Sequence, residues 1–293
     1  MTAVSHLRAE KTPSRSAKDL IFRIFMFAGI GIALGSLATL LANVVVEGAP
    51  RLSVDLIQNM PSARPLRAGI QSAIFGSLWV VITTAIISLP TGIGAAIYLE
   101  EFARRDRWYN RLIELNVQNL AAVPSVVFGI LGLAFIKRGP LGLGSTVLTA
   151  ALVLSMLVLP TVVIVSREAI RAVPDSFRQG SLALGATQWE TVRHQVLPNA
   201  MPGILTGTIL SVSRALGESA PLLMLGALTF ITFNPTGLDS QYTVLPIQIF
   251  SYISSAKQEF KPLAAASIVA LLIVLLALNA AAIFLRNKFQ KRW

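Results

Sequence analysis

The 293-residue chain is 54% hydrophobic and 13% charged, with 25 Lys and Arg against 14 Asp and Glu. A mean hydropathy of +0.67 excludes a soluble cytosolic or secreted enzyme and assigns the chain to the bilayer. The net charge of +11 does not argue for nucleic acid, because the basic residues flank apolar runs, where lipid headgroups and topology account for them.

In chain order, residues 1–19 read as a basic tail. The uncharged run 24–46 follows Arg8, Lys11, Arg15, Lys18 and Arg23, which imitates a signal peptide. At 23 residues it is too long for an h-region, and five further apolar segments follow, so a retained first helix is expected. A spanning helix needs about 20 apolar residues to cross roughly 30 Å of hydrocarbon. Pro50, Pro61 and Pro65 argue against a long helix in the loop 47–67. The second helix occupies about 69–98, with a kink expected near Pro90, Gly92 and Gly94. The charged stretch 100–116 reads as a loop or a short amphipathic surface helix.

The third span is expected in the uncharged run 115–136, around Pro124, Gly129 and Gly132, and the fourth at 145–166, around Pro160. The fifth runs from 195 to about 230 and the sixth from 262 to 285. Between them, 240–256 is apolar but too short to cross, and reads as a helix at the outer interface or turning back against the bundle. With six spans and an inside N-terminus, 17 of the 25 basic residues fall on inside segments, so both termini are expected inside. The absence of cysteine excludes disulfides, thiol chemistry and thiolate metal sites, and His6 and His194 read as surface residues, so no metal and no cofactor are expected.

The segment 167–204 is long for a connection between spans. Within it, "PDSFRQGSLALGATQWETVRHQVLP" shows a helix, a glycine turn at Gly185, a second helix capped by Thr187 and an end at Pro198. It resembles the coupling loop of ATP-binding-cassette importer permeases: Gly185 and Leu197-Pro198 stand at the family spacing, while Gln179, Gly180 and Ser181 replace the usual glutamate and two alanines. The resemblance implies a coupling loop at 175–198, with a short helix at about 183–190 entering a groove on an ATPase subunit. Ala183, Leu184, Gly185, Ala186, Trp189 and Pro198 are its coupling residues.

The strings "GILTGTILSVSRALGESAPLLMLGA" and "LPIQIFSYISSAKQEF" are similar to the phosphate-specific permeases, and the short loop after the first helix favours the A-type family over its C-type paralogue. That resemblance implies an all-α, six-span permease of the type I importer fold over 20–286, with a second basic tail at 287–293, in a bacterial inner membrane. It also implies a C-type permease partner, two cytoplasmic ATP-binding subunits and an outer phosphate-binding protein. The C-type subunit itself, or a permease for molybdate or sulfate, is the alternative.

From the residues alone, Arg214 and Glu218 are four apart in an uncharged span, expected on one helical face as a packing pair or as an anion gate, with Ser211, Ser213 and Ser219 near them. No glycine-rich GxxxxGK loop, HExxH motif or nucleophile–base pair occurs, so ATP hydrolysis and intramembrane catalysis are not expected of this chain.

Overall fold

The computed structural model describes residues 13–104, 107–227 and 230–289, and it is helical nearly throughout. The basic termini, with Arg8, Lys11, Lys291 and Arg292, lie outside these residues, as do His6 and Arg105. Among the described residues five helices are long and apolar enough to cross a membrane, or six where the bent pair counts as one span. The expected all-α, multi-span architecture is therefore present, with differences at several ends.

Helix α1 (Pro13–Gly48) starts inside the expected tail and is exposed along almost its whole length, touching mainly the last helix, α12 (Phe260–Phe289). A short helix α2 (Val54–Gln58) interrupts the proline-rich loop. Helix α3 (Gln71–Ile97) continues through Pro90 without a break and runs into a π-helical turn, Tyr98–Phe102.

The expected third span is broken. Helix α4 (Trp108–Ala121) meets α5 (Ser125–Leu131), with its π-helical extension to Lys137, at 105°. Pro124 is the cause: it lacks the N–H that would continue α4, and with its own ψ at 136° the chain turns and restarts at Ser125.

Helix α6 (Val147–Arg171) is the central post, started by Thr146, whose hydroxyl accepts from the Thr149 N–H at 3.3 Å. It packs against α3 on one side and α9 (Leu197–Gly217) on the other. Close approach to α9 requires Gly207, where a β-carbon would overlap the Val165 side chain. The core beneath is aliphatic, with Val80, Val153, Leu154, Leu222 and Ile247 buried together.

Two more expectations are corrected at the fifth span. Pro198 does not end a helix: it lies within one continuous run from Gln188 to Gly217, the π-helical turn Val192–Val196 lying just before it. That run stops at Gly217 rather than near 230, because Glu218 adopts an extended ψ of 115°. After α10 (Ala220–Met224) the chain covers one end of the bundle, and α11 (Leu245–Ile253) turns back into it, with Leu245 to Ile249 buried against α3 and α12. The second of the two expectations for 240–256 is the one realised.

Candidate functional site

The ends of α3, α4 and α6 converge at one end of the bundle on the loop 175–198. Helix α7 (Asp175–Ala183) follows Pro174, the chain turns at Leu184 and Gly185, and α8 (Gln188–Thr191) begins. The expected helix over 183–190 is thus a turn between two helices. Gly185 stands at φ +88°, a conformation that side chains with a β-carbon strain to adopt, and this is its role; no atom of this chain crowds it. Thr187 and Glu190 form a reciprocal capping box: the Glu190 carboxylate accepts from the Thr187 N–H and hydroxyl, both at 2.8 Å. The backbone N–H and then the hydroxyl of Thr187 hold the Glu190 carboxyl below the usual carboxylate range.

The turn projects from the molecule. Leu184 is 91% exposed, the extreme among the described large apolar side chains. Ala183 and Gly185 are exposed beside it, while Ala186 is half-buried and Pro198 is exposed on α9. Trp189 is 54% exposed and rests one side of its ring on Phe102, with centroids 6.3 Å apart. The loop therefore offers an apolar tip, Leu184, on a seat that belongs to the permease.

That seat is an ionic brace. Glu101, 8% exposed, pairs with Arg178 at 2.7 Å. The same guanidinium donates to the carbonyls of Val173 at 2.7 Å and Ile170 at 3.0 Å, closing the C-terminal end of α6. Gln188 donates to the Glu101 carbonyl, and Thr191 bonds Ser181 at 2.9 Å, tying α8 to the π-turn of α3 and to α7. Glu100, 5% exposed, takes Arg167 at 3.4 Å and Arg171 at 3.0 Å, and Arg167 reaches Glu114 of α4 at 3.0 Å. The hydrogen bond that Arg178 donates to Glu101, and that carboxylate's charge, raise the Arg178 pKa further above its ordinary value, against some loss to burial. An open cleft of about 750 Å³ lies among Glu100, Glu101, Arg171, Arg178 and Gln188.

Sequence reasoning named the loop and missed the brace. The signal was the Glu100-Glu101 doublet directly after a 32-residue uncharged run, together with Arg167 and Arg171 one turn apart. Only the fold shows that these are partners, since the acids and bases lie 53 to 77 positions apart.

The five intramembrane candidates do not converge. Ser211 is buried and donates to the Gly207 carbonyl at 2.9 Å within its own helix. Ser213 points toward α12, bonding Asn279 and the Ile209 carbonyl. Ser219 caps α10 without a side-chain bond. Arg214 and Glu218 form no ion pair, because the helix ends between them and the i,i+4 geometry is lost. Arg214 instead joins Thr206, Leu210 and Gly217 on an exposed stripe of α9. Among the described residues no group of three or more His, Asp or Glu side chains is arranged to hold a metal.

Residues 88–293 match the family model described as "binding-protein-dependent transport system inner membrane component". The chain belongs to this family. It is 33% identical over 214 residues to the probable ABC transporter permease protein YqgI of Bacillus subtilis, covering 73% of this chain and 72% of that protein. It is 30% identical over 285 residues to the phosphate transport system permease protein PstA 1 of Mycobacterium tuberculosis, covering 96% and 91%. The fold matches a subunit of a bacterial alginate ABC transporter solved with its alginate-bound periplasmic protein, with a TM-score of 0.66, 16% identity and coverage of 94% of this chain and 96% of that one. The chain is thus a multi-pass transport component of the ABC importer permease fold rather than an enzyme.

Proposed function

We propose that this chain is the A-type permease subunit of an ATP-driven phosphate importer. Near-full-length similarity to phosphate permeases of several bacteria carries the reading. In it, a paralogous C-type permease completes the translocation path, two ATP-binding subunits sit at the charge-rich end, and a phosphate-binding protein docks at the other. The exposed stripe of α9 with Arg214 lines the path, where an unpaired guanidinium can meet an anion, with Glu218 at its outer end. Leu184, Gly185 and Trp189 meet the ATPase, and the Glu101–Arg178 brace transmits its movement to α3 and α6. The charge-rich end, which carries the Arg104, Arg167, Arg171 and Arg178 side of the bundle, faces the cytoplasm of a bacterial cell.

The test is uptake of labelled phosphate by proteoliposomes holding the assembled complex and its binding protein, with sulfate and molybdate as competitors. Phosphate uptake that neither competitor suppresses, and a crosslink from a cysteine at Ala186 to the ATPase subunit, are expected. Uptake of sulfate or molybdate in place of phosphate overturns the substrate, and no crosslink in an active complex overturns the docking tip.

A further inference from the structure

A cleft of about 380 Å³ opens into the membrane region between α3, α9 and α12. Its size falls in the usual range of ligand pockets, roughly 300–1,000 Å³. The walls are aliphatic, with Val81 and Leu89 from α3, Leu205 and Ile209 from α9, and Leu275 and Leu278 from α12. Its polar side chains are turned to each other or to their own backbone: Ser213 bonds Asn279, and Thr208 donates to the Leu205 carbonyl at 3.1 Å. The interior therefore offers hydrocarbon contact and no free polar partner.

One end differs. Arg286 stands at the mouth nearest the charge-rich end, bonded to Thr206 Oγ1 at 2.9 Å and to Asn287 Oδ1 at 3.1 Å. No carboxylate among the described residues forms an ion pair with it. The lining residues Leu275 and Arg286 are 11 helical positions apart, about 16 Å of rise, which is the depth of one leaflet of a hydrocarbon core about 30 Å thick. Leu275 lies near the middle of the uncharged run 262–285, so Arg286 reaches headgroup level.

We propose that this cleft seats one acyl chain of an anionic phospholipid from the leaflet at the charge-rich end, with the lipid phosphate on Arg286. A hydrocarbon-lined slot one leaflet deep and closed by a cation that no described carboxylate pairs matches a tethered phosphate ester and not a free anion, which would gain nothing from the slot. The bound chain fills the seam between α12 and the α3–α9 pair.

The assembled complex, reconstituted with phosphatidylglycerol carrying a photoreactive acyl chain in phosphatidylethanolamine, tests this directly. Adducts are expected on Leu275, Leu278 or Ala282. Arg286→Gln should reduce phosphatidylglycerol retained through purification about fivefold, the worth of one basic residue facing anionic lipid. Ala282→Phe, which fills the slot and leaves the charge, should reduce it as well, and Arg286→Lys should restore it. Millimolar inorganic phosphate should displace nothing. Equal retention by Arg286→Gln and the unaltered chain, displacement by inorganic phosphate, or a crosslink from Ala282→Cys to a neighbouring protein helix in place of lipid overturns the proposal.

Discussion

Arg178 serves four acceptors with one guanidinium: the Glu101 and Asp175 carboxylates and the carbonyls of Ile170 and Val173. Lysine cannot reproduce this planar fork, so Arg178→Lys is expected to behave nearly as badly as Arg178→Ala. Removing either partner of a largely buried pair leaves the other uncompensated, at a cost of about 3 kcal/mol. Glu101→Ala and Arg178→Ala should each lower thermal stability, and the double variant should lose much less than their sum. Additive losses in that cycle refute the brace. Arg214 makes the opposite prediction. It has no partner in Glu218, so Arg214→Ala and Glu218→Ala should impair phosphate uptake by factors that multiply in the double variant, with stability unchanged. Rescue of one by the other restores the pairing that the helix end rules out. Gly185→Val should cost about 1–2 kcal/mol from its φ of +88°, while Gly185→Asn, which tolerates that region, should retain most coupling of ATPase activity to transport.

At the level of elements, the 175–198 loop works because two short helices, neither stable alone, are fixed at both ends. Helix α7 is held by Arg178 and α8 by its capping box and by Gln188 on the Glu101 carbonyl. The box has a pH signature. The Glu190 carboxyl titrates lower in the folded loop than in an unfolded one, so its contribution is complete above the unfolded value and is lost as pH falls through the folded one. Amide exchange over 187–191 should therefore accelerate relative to the rest of the loop under acid conditions, and Thr187→Ala should abolish that dependence; an unchanged pH profile in the variant refutes it. The α6–α9 contact depends on Gly207 in the same way. Gly207→Leu drives a side chain into Val165 and is expected to destabilise by roughly 1–3 kcal/mol, read as earlier thermal unfolding, whereas Gly180→Ala, with open space around it, should be silent.

For the whole molecule, the ends of α3 and α6 carry Glu100, Glu101, Arg167 and Arg171 to one place, and the loop 175–198 sits on them. If that end faces the cytoplasm, a cysteine at Ser176 should resist an impermeant maleimide added to intact cells and react after permeabilisation; the chain has no cysteine of its own to confuse the result. Labelling from outside reverses the topology. The long exposed face of α1, bound to little but α12, and much of α12 itself are left without protein neighbours in a single chain.

Sequence alone determined the features that depend on local composition. Apolar runs of bilayer length required spanning helices because unpaired backbone groups are costly in lipid, and the glycine and the Thr187 cap located the turn of the loop. Arg214 stood out in the sequence as a charge in an otherwise apolar run, but the pairing with Glu218 is not realised, since i,i+4 pairing presumes a helix that Glu218 ends. The break at Pro124 was visible as a proline, yet Pro90 and Pro160 look alike in sequence and lie inside unbroken helices. The difference is tertiary: α3 and α6 pack extensively against each other, which keeps each helix continuous through a lost hydrogen bond, while α5, beyond Pro124, packs chiefly on α10. The brace, the re-entry of α11 and the cleft at Arg286 also belong to the tertiary structure, because each joins residues dozens of positions apart whose meeting no local pattern records.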